Sequence, residues 1–364
     1  MRIPPIEVIA SWPKPNYINP EARAPAGIII GSIFLAFVTL VLVIRLYSRK
    51  QLTKGCGLDD ILICLAYLPA IAFTIAGIIT QEYFQWSRHI WDVEPKFFSA
   101  NIIIMLIHLL LFDLATSLTK LSMLAMVRRL TAASNSKLEN AIVLAVAVLI
   151  TANCAIFVIV EIFQCRPISA AWDPFGTSRN CINEGAHLLA ANIINTTTDF
   201  IVVLLPIGTA MRARLSPRHR VIVVSLFGIG LVASAVGIAR TYFTWLLLNA
   251  ADYDTTWRSW CVWLTSLIEL NLGIICASVP ATKPFFTSFS QKRQQKSLAL
   301  SSLYPPPTAY SSEEAGLRTP LPPIVTDGSA SNRGSSVSFA DTNSIDSPHQ
   351  SSHVYISPDP AQVG

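Results

Sequence analysis

Of the 364 residues, 52% are hydrophobic and only 13% charged, with a formal net charge of +5. A soluble domain carries about 25% charged residues, so an ordinary soluble fold is excluded. Nucleic acid is excluded as a partner too, because the bases sit beside apolar blocks and form no stripe with aromatic residues.

In chain order, residues 1–25 make a short proline-rich segment with no apolar stretch long enough for a signal-peptide core. Seven blocks then approach the roughly 20 residues that cross a bilayer as a helix. They run at about 26–47, 61–80, 98–127, 141–163, 188–211, 221–248 and 260–279. A spanning segment has to satisfy its own backbone donors and acceptors, so each block is read as a helix. An outer-membrane barrel would show alternating segments about half as long. The expected fold class is therefore all-α: a polytopic seven-helix membrane domain over 26–286, its first span acting as an uncleaved targeting signal. From Lys283, Phe285, Phe286 and Phe289 mix with bases, which suits a stretch lying on the inner leaflet. About Ser297 onward the chain is rich in Ser and Pro, so the tail over 287–364 is expected to be mostly disordered, with candidate phosphorylation sites at Thr319, Ser347 and Ser357.

Lys and Arg set the orientation. Arg49, Lys50 and Lys54, then Arg128, Arg129 and Lys137, then Arg212, Arg214, Arg218 and Arg220, and finally Lys283, Lys292, Arg293 and Lys296 fall on one side. The other loops carry only Arg88, Lys96, Arg166, Arg179 and Arg258. By the positive-inside rule the N-terminus is outside and the C-terminus cytoplasmic. Cys56, Cys64, Cys154 and Cys276 then fall in cytoplasmic or intramembrane positions and are read as reduced, whereas Cys165, Cys181 and Cys261 lie on the oxidising side. Cys165 with Cys181 is the favoured pair, since closing one short loop costs little entropy; Cys261 is the competitor. The sequon at Asn195 falls inside a span and is expected to be unused.

Gly228, Gly230 and Ala233 have the spacing of a dinucleotide fingerprint but follow no strand; small residues four apart, Gly230 with Ser234 and Ala233 with Gly237, read better as helix packing. No histidine pair lies one helical turn apart and no catalytic constellation is present, so neither a metal, a cofactor nor an enzyme activity is expected. The polar residues inside spans are the informative ones, because each costs a few kcal/mol at mid-bilayer unless paired or facing a cavity. Asp113, Asp199 and Glu269 fall near mid-depth, with Asn192, Asn195 and Asn271 beside them and Arg240, His108 and Glu161 nearer the outer side. Asp59 and Asp60 open the second span at roughly the depth of Lys120, and an Asp60 to Lys120 ion pair is expected. Two readings of the mid-depth set stay open: ion pairs that fix helix register, or a polar pocket or solute path. A retinal Schiff base needs a lysine deep in a span, and the seventh span has none, so retinal is not an expected partner.

The chain resembles the fungal rhodopsin-like seven-span membrane proteins, the group that includes receptor-like and satratoxin-cluster proteins. The resemblance rests on GLDDILI with Asp59 and Asp60, TKLSMLAMVRRL with Lys120 and Arg129, FQCRPISAAWDP followed by Cys181, TTTDFIVVLLPI with Asp199, GIAR with Arg240, and IELNLGIICASVPATKPFF with Glu269. It implies a receptor-like protein of a filamentous fungus, in the plasma membrane rather than an internal one, sensing an extracellular small molecule or surface cue and addressing a cytoplasmic signalling partner. The alternative is a transporter or membrane accessory of a secondary-metabolite pathway. Arg128-Arg129 lacks an acidic neighbour and the seventh span lacks an Asn-Pro-x-x-Tyr motif, so coupling to a G protein is only an analogy of span count.

Overall fold

The computed structural model describes residues 4–131, 137–172, 180–212 and 217–303. A short helix α1 (Ile6–Ser11) precedes seven long ones: α2 (Ala24–Tyr47), α3 (Leu58–Tyr83), α4 (Phe98–Thr131), α5 (Lys137–Ile162), α6 (Glu184–Arg212), α7 (Pro217–Leu248) and α8 (Thr255–Leu303). Each of the seven carries a segment long and apolar enough to cross a bilayer, and each begins within five residues of the start read from sequence. Their starts follow from local chemistry. Pro25 sits in the first turn of α2, where its missing N–H costs nothing. At the start of α3 the Gly57 N–H donates to Asp60 Oδ2 at 3.1 Å, and Asp59 and Asp60 oppose the positive end of the helix dipole.

Between α5 and α6 the strands β1 (Cys165–Arg166) and β2 (Asn180–Cys181) pair antiparallel, with Cys165 opposite Cys181, and a disulfide joins them. The competitor Cys261 is a free thiol lying 3.5 Å from Arg23 Nη1. This hairpin, the start of α2 and the start of α8 share one face of the bundle, called the hairpin face below.

Burial shows how the helices are arranged. The membrane window of α8 is 67% buried against 22% for α2, α5 and α7, so α8 runs through the middle. Leu267, Leu270 and Ile274 of α8 meet Ile63 and Phe73 of α3, Ala115 and Leu124 of α4, and Val38 and Leu42 of α2. Lipid is as apolar as leucine, so close packing rather than water exclusion must hold these helices together, and small residues make it possible. Ala66, Ala115, Ser122, Ser234, Ala277 and Ser278 are all buried at the contacts. Gly230 packs on Val203 of α6 so closely that a Cβ there would lie 2.6 Å from Val203 Cγ2, which makes this glycine the packing residue its spacing predicted. The opposite pattern covers the outside, where Ile33, Phe37, Leu40, Leu68, Val148 and Ile238 are exposed for lipid.

One boundary differs from the sequence reading. The helix that carries the seventh span continues unbroken through Leu303, past the expected domain edge at 286, so the first part of the tail is helix. Rising polarity ends a membrane span but not a helix, and Gln, Lys, Ala and Leu after Pro284 are good helix formers. Pro280 and Pro284 lie inside it. Just before the first proline, Arg45 Nη1 donates to the Ala277 carbonyl at 2.5 Å and ties α2 to α8. Residues 304–364, with the candidate phosphorylation sites, lie outside the described residues.

Candidate functional site

Among the described residues, two buried charge networks and a cavity carry most of the polar chemistry of the bundle. The first network lies at mid-depth. Lys120 of α4 donates to the Asn195 backbone oxygen and Oδ1, both at 2.8 Å, and to Thr198 Oγ1 at 2.9 Å, and it pairs with Asp199 Oδ1 at 3.1 Å. Asn195 then passes the chain on, its Nδ2 donating to Glu269 Oε1 of α8 at 2.8 Å. Glu269 holds Arg240 of α7 through Nε to Oε2 at 2.8 Å and Nη2 to Oε1 at 3.3 Å. Arg240 Nη1 also donates to Asn192 Oδ1, whose amide reaches Thr244 Oγ1 at 2.9 Å. Gly237 makes room for this: a Cβ there would stand 3.3 Å from Glu269 Oε2 and 3.1 Å from Thr196 Oγ1. Two cations and two carboxylates thus neutralise one another across four helices, which is how charge survives in a low-dielectric interior.

The second network, at the end opposite the hairpin face, replaces the expected Asp60 to Lys120 pair. Arg45 of α2, wholly buried, donates from Nε to Asp60 Oδ1 at 3.0 Å and from Nη2 to Asp59 Oδ2 at 2.9 Å. Arg49 adds a bond to Asp59 Oδ2 at 3.1 Å, and Arg129 of α4 comes within 3.5 Å of Asp59 Oδ1. The register of α4 explains the correction. Ser122, two residues on from Lys120, donates to the Asp59 carbonyl at 2.7 Å, so Lys120 lies near that level but points around the helix to α6, where Asn195, Thr198 and Asp199 hold it. Arg45 was hidden by position, since a base at a span end reads as a topology signal.

Above the mid-depth network lies the cavity, with about 1030 Å³ of atom-free space, mouth included. Asn192, Asn195 and Arg240 form its polar floor; Phe73, Phe112, Phe157, Trp260 and Trp263 supply much of its wall. Gly77 is required here, because the Trp263 indole lies flat against it and a Cβ would fall 2.2 Å from Nε1. Trp260 is fixed by its Nε1 bond to Gln81 Oε1 at 3.0 Å.

The sequence-predicted residues therefore separate. Asp199, Glu269, Asn195 and Arg240 come together in one network, of which Asn195 and Arg240 reach the cavity. Asp113 lines the cavity but makes no ion pair among the described residues. Asn271 does neither; buried, it donates to the Leu267 carbonyl of its own helix at 2.6 Å. The sequon residue Asn195 is bonded on both sides and 7% exposed. Besides Arg45, sequence reasoning passed over His187, which stacks on Phe157 with ring centres 5.1 Å apart and lies 3.5 Å from the buried Glu161. No local pattern signals such a pair, as the two residues sit on different helices.

Beside the mouth the N-terminal segment is tied down. Ala22 bridges to Arg88, the Arg23 guanidinium lies 3.6 Å over the Trp257 ring, and Trp12 Nε1 donates to the Asp252 carbonyl at 2.9 Å. His89 stacks between Trp91 and Trp257 at 4.7 and 4.1 Å and bonds Asp254 Oδ2 at 2.5 Å. Nearby, partial burial pushes the Asp252 carboxyl up, but the Arg258 bond at 2.8 Å outweighs it and holds the group below its ordinary value.

The profile of the fungal rhodopsin domain matches residues 44–288, from the last turn of α2 well into α8. The chain belongs to the fungal rhodopsin-domain family. Among curated relatives it is 25% identical to the Receptor GIN3 of Arthrobotrys oligospora over 290 residues, 78% of this chain and 65% of the receptor. It is 26% identical to the Wortmanamides biosynthesis cluster protein C of Talaromyces wortmannii over 274 residues, 70% of this chain and 68% of that protein. A SAT4 family membrane protein of Emericella nidulans is 28% identical over 177 residues, 48% of this chain and 43% of the other. The chain thus spans about two thirds of the length of the first two relatives. No solved structure matches it. A fungal rhodopsin-domain protein with seven apolar helices is a multi-pass membrane protein whose lipid-facing residues contact the bilayer. Retinal does not fit this member: α8 carries no lysine between Thr255 and Thr282, and Lys120 is held by Asn195, Thr198 and Asp199.

Proposed function

We propose that this fungal rhodopsin-domain protein is a receptor-like sensor that binds a small molecule in the cavity at the hairpin face. The observation that carries the proposal is the cavity floor. Arg240 and Asn195 touch both the cavity and the network that joins α4, α6, α7 and α8. An occupant pressing on that floor acts on four helices at once, and differential contact of this kind is what shifts a conformational equilibrium. The hairpin face is outside, on the distribution of Lys and Arg, and the disulfide suits that side. The basic face, where Lys50, Lys54, Arg128 and Arg129 are exposed, then addresses a cytoplasmic partner from the plasma membrane. We assign no enzymatic step.

A name supports this reading and another supports a second one. One relative is named a receptor and another a biosynthesis cluster protein, so a transporter or accessory of a secondary-metabolite pathway is the alternative. Ala191→Trp tests the first. Ala191 lines the cavity and lies outside both networks, so the larger ring should fill the site, abolish ligand-dependent changes in tryptophan fluorescence and leave thermal stability unchanged. If responses persist in a correctly inserted variant, the cavity is not the site. Uptake of the responsive compound into proteoliposomes, blocked by the same substitution, would favour the alternative.

A further inference from the structure

We infer that the cavity selects a protonated amine on an aromatic or alicyclic body, with Asp113 as its counter-ion. The inference rests on reading the cavity as a ligand site and adds the chemistry of the ligand. The wall's other polar groups are used internally: Asn192, Asn195, Arg240 and Thr244 bond one another or the mid-depth network, and Gln81 accepts from Trp260. Asp113 is different. It is 8% exposed and lines the cavity; the Cys154 thiol bonds its carboxyl, but no cation does, and its Oδ2 has no hydrogen-bond partner among the described residues. His108 Nε2 and Trp263 Nε1 are also unpartnered, but His108 turns that edge to the Phe73 backbone and Trp263 covers its own against Gly77.

The charge balance points the same way. The two cations nearest Asp113, Lys120 and Arg240, are each bonded to another carboxylate, Asp199 and Glu269. Three carboxylates therefore face two cations, and the negative charge left over stands in the cavity wall. A buried carboxylate with a thiol but no cation beside it is costly, and a ligand that supplies an ammonium relieves that cost. The rings around it are suited to the same cation. Phe112 precedes Asp113 in sequence and already holds Arg240 Cζ 4.6 Å from its ring centre, and Phe73, Phe157, Trp260 and Trp263 close the wall. Aromatic faces attract cations most strongly where water is excluded. An anionic ligand would meet Asp113 unpaired and an Arg240 already neutralised.

The test uses the full-length protein in phosphatidylcholine nanodiscs with three probes of one shape: 2-phenylethylammonium, 2-phenylethanol and phenylacetate. Binding is followed by quenching of tryptophan fluorescence. The wild-type protein should prefer the ammonium probe over the alcohol by roughly tenfold or more, the worth of a charge-assisted hydrogen bond. Asp113→Asn should erase that preference, the ammonium probe losing more affinity than the alcohol, and Asp113→Glu should retain it in part. Equal binding of the alcohol, tighter binding of phenylacetate, or an amine preference that survives Asp113→Asn overturns the inference and leaves the cavity reading intact. If Asp113→Asn does not fold, the wild-type order of the three probes decides. Absence of saturable binding for all three counts against the cavity reading itself.

Discussion

Replacing Glu269 with Gln tests the mid-depth network. The carboxylate accepts three bonds, two from Arg240 at 2.8 and 3.3 Å and one from Asn195 at 2.8 Å, and both charged side chains are 4% exposed. A glutamine keeps the shape but presents its amide hydrogens to donors and leaves the Arg240 charge buried without an anion. Breaking one partner out of a buried pair costs about 3–5 kcal/mol. At about 2–4 °C per kcal/mol for a chain of this class, the unfolding midpoint should fall by roughly 10 °C. The assay is thermal unfolding in nanodiscs by tryptophan fluorescence, at one fixed scan rate because membrane proteins unfold irreversibly. The double variant Arg240→Met with Glu269→Leu should lose less than the two single variants together, since no charge is then left unpaired. A fall under about 2 °C for Glu269→Gln, or a double variant at least as damaged as the summed singles, would refute the reasoning.

Arg45→Met leaves Asp59 and Asp60 buried with only the more distant Arg49 and Arg129, so a loss of about 3–5 kcal/mol is expected, partly restored by adding Asp60→Asn; unfolding midpoints check it. Gly77→Leu drives a side chain into the Trp263 indole and should cost about 1–3 kcal/mol while shifting the tryptophan emission of the cavity. Cys181→Ser opens a loop of sequence separation 16, which by loop entropy costs about 3 kcal/mol, and reductant should reproduce the effect in the wild type but add nothing in the variant. Asp252 is depressed in the folded protein, so its contribution is complete above the ordinary aspartate value of about 3.9 and fades only as pH falls through the lower folded value. Amide exchange across 252–258, corrected for intrinsic rate, should therefore be unchanged between pH 7 and pH 5; loss of protection in that interval would assign the anchoring to another group.

The chain's hydrophobic rhythm made the seven helices legible, because a bilayer demands a particular length and a self-satisfied backbone. The pairing of Cys165 with Cys181 was legible as a favoured choice, because proximity in sequence makes it cheap. The partners of charges were not. Depth along a span predicts which residues lie at one level, yet Asp60 met Arg45 rather than Lys120, and Lys120 met Asp199. Asn271 shared the depth of the network and turned instead to its own helix.

Composition alone determined that this is a membrane protein, and motif order along 26–286 carried the family resemblance, because both depend on local chemistry read residue by residue. Tertiary structure decided which of the mid-depth carboxylates is left without a cation among the described residues. Asp113, Asp199 and Glu269 are equivalent acids within apolar segments, and only the rotation of α4, α6, α7 and α8 about their own axes determines which of them a guanidinium or ammonium can reach. That rotation is set by packing such as Gly237 beside Glu269 and Gly77 beneath Trp263, contacts between residues far apart in sequence.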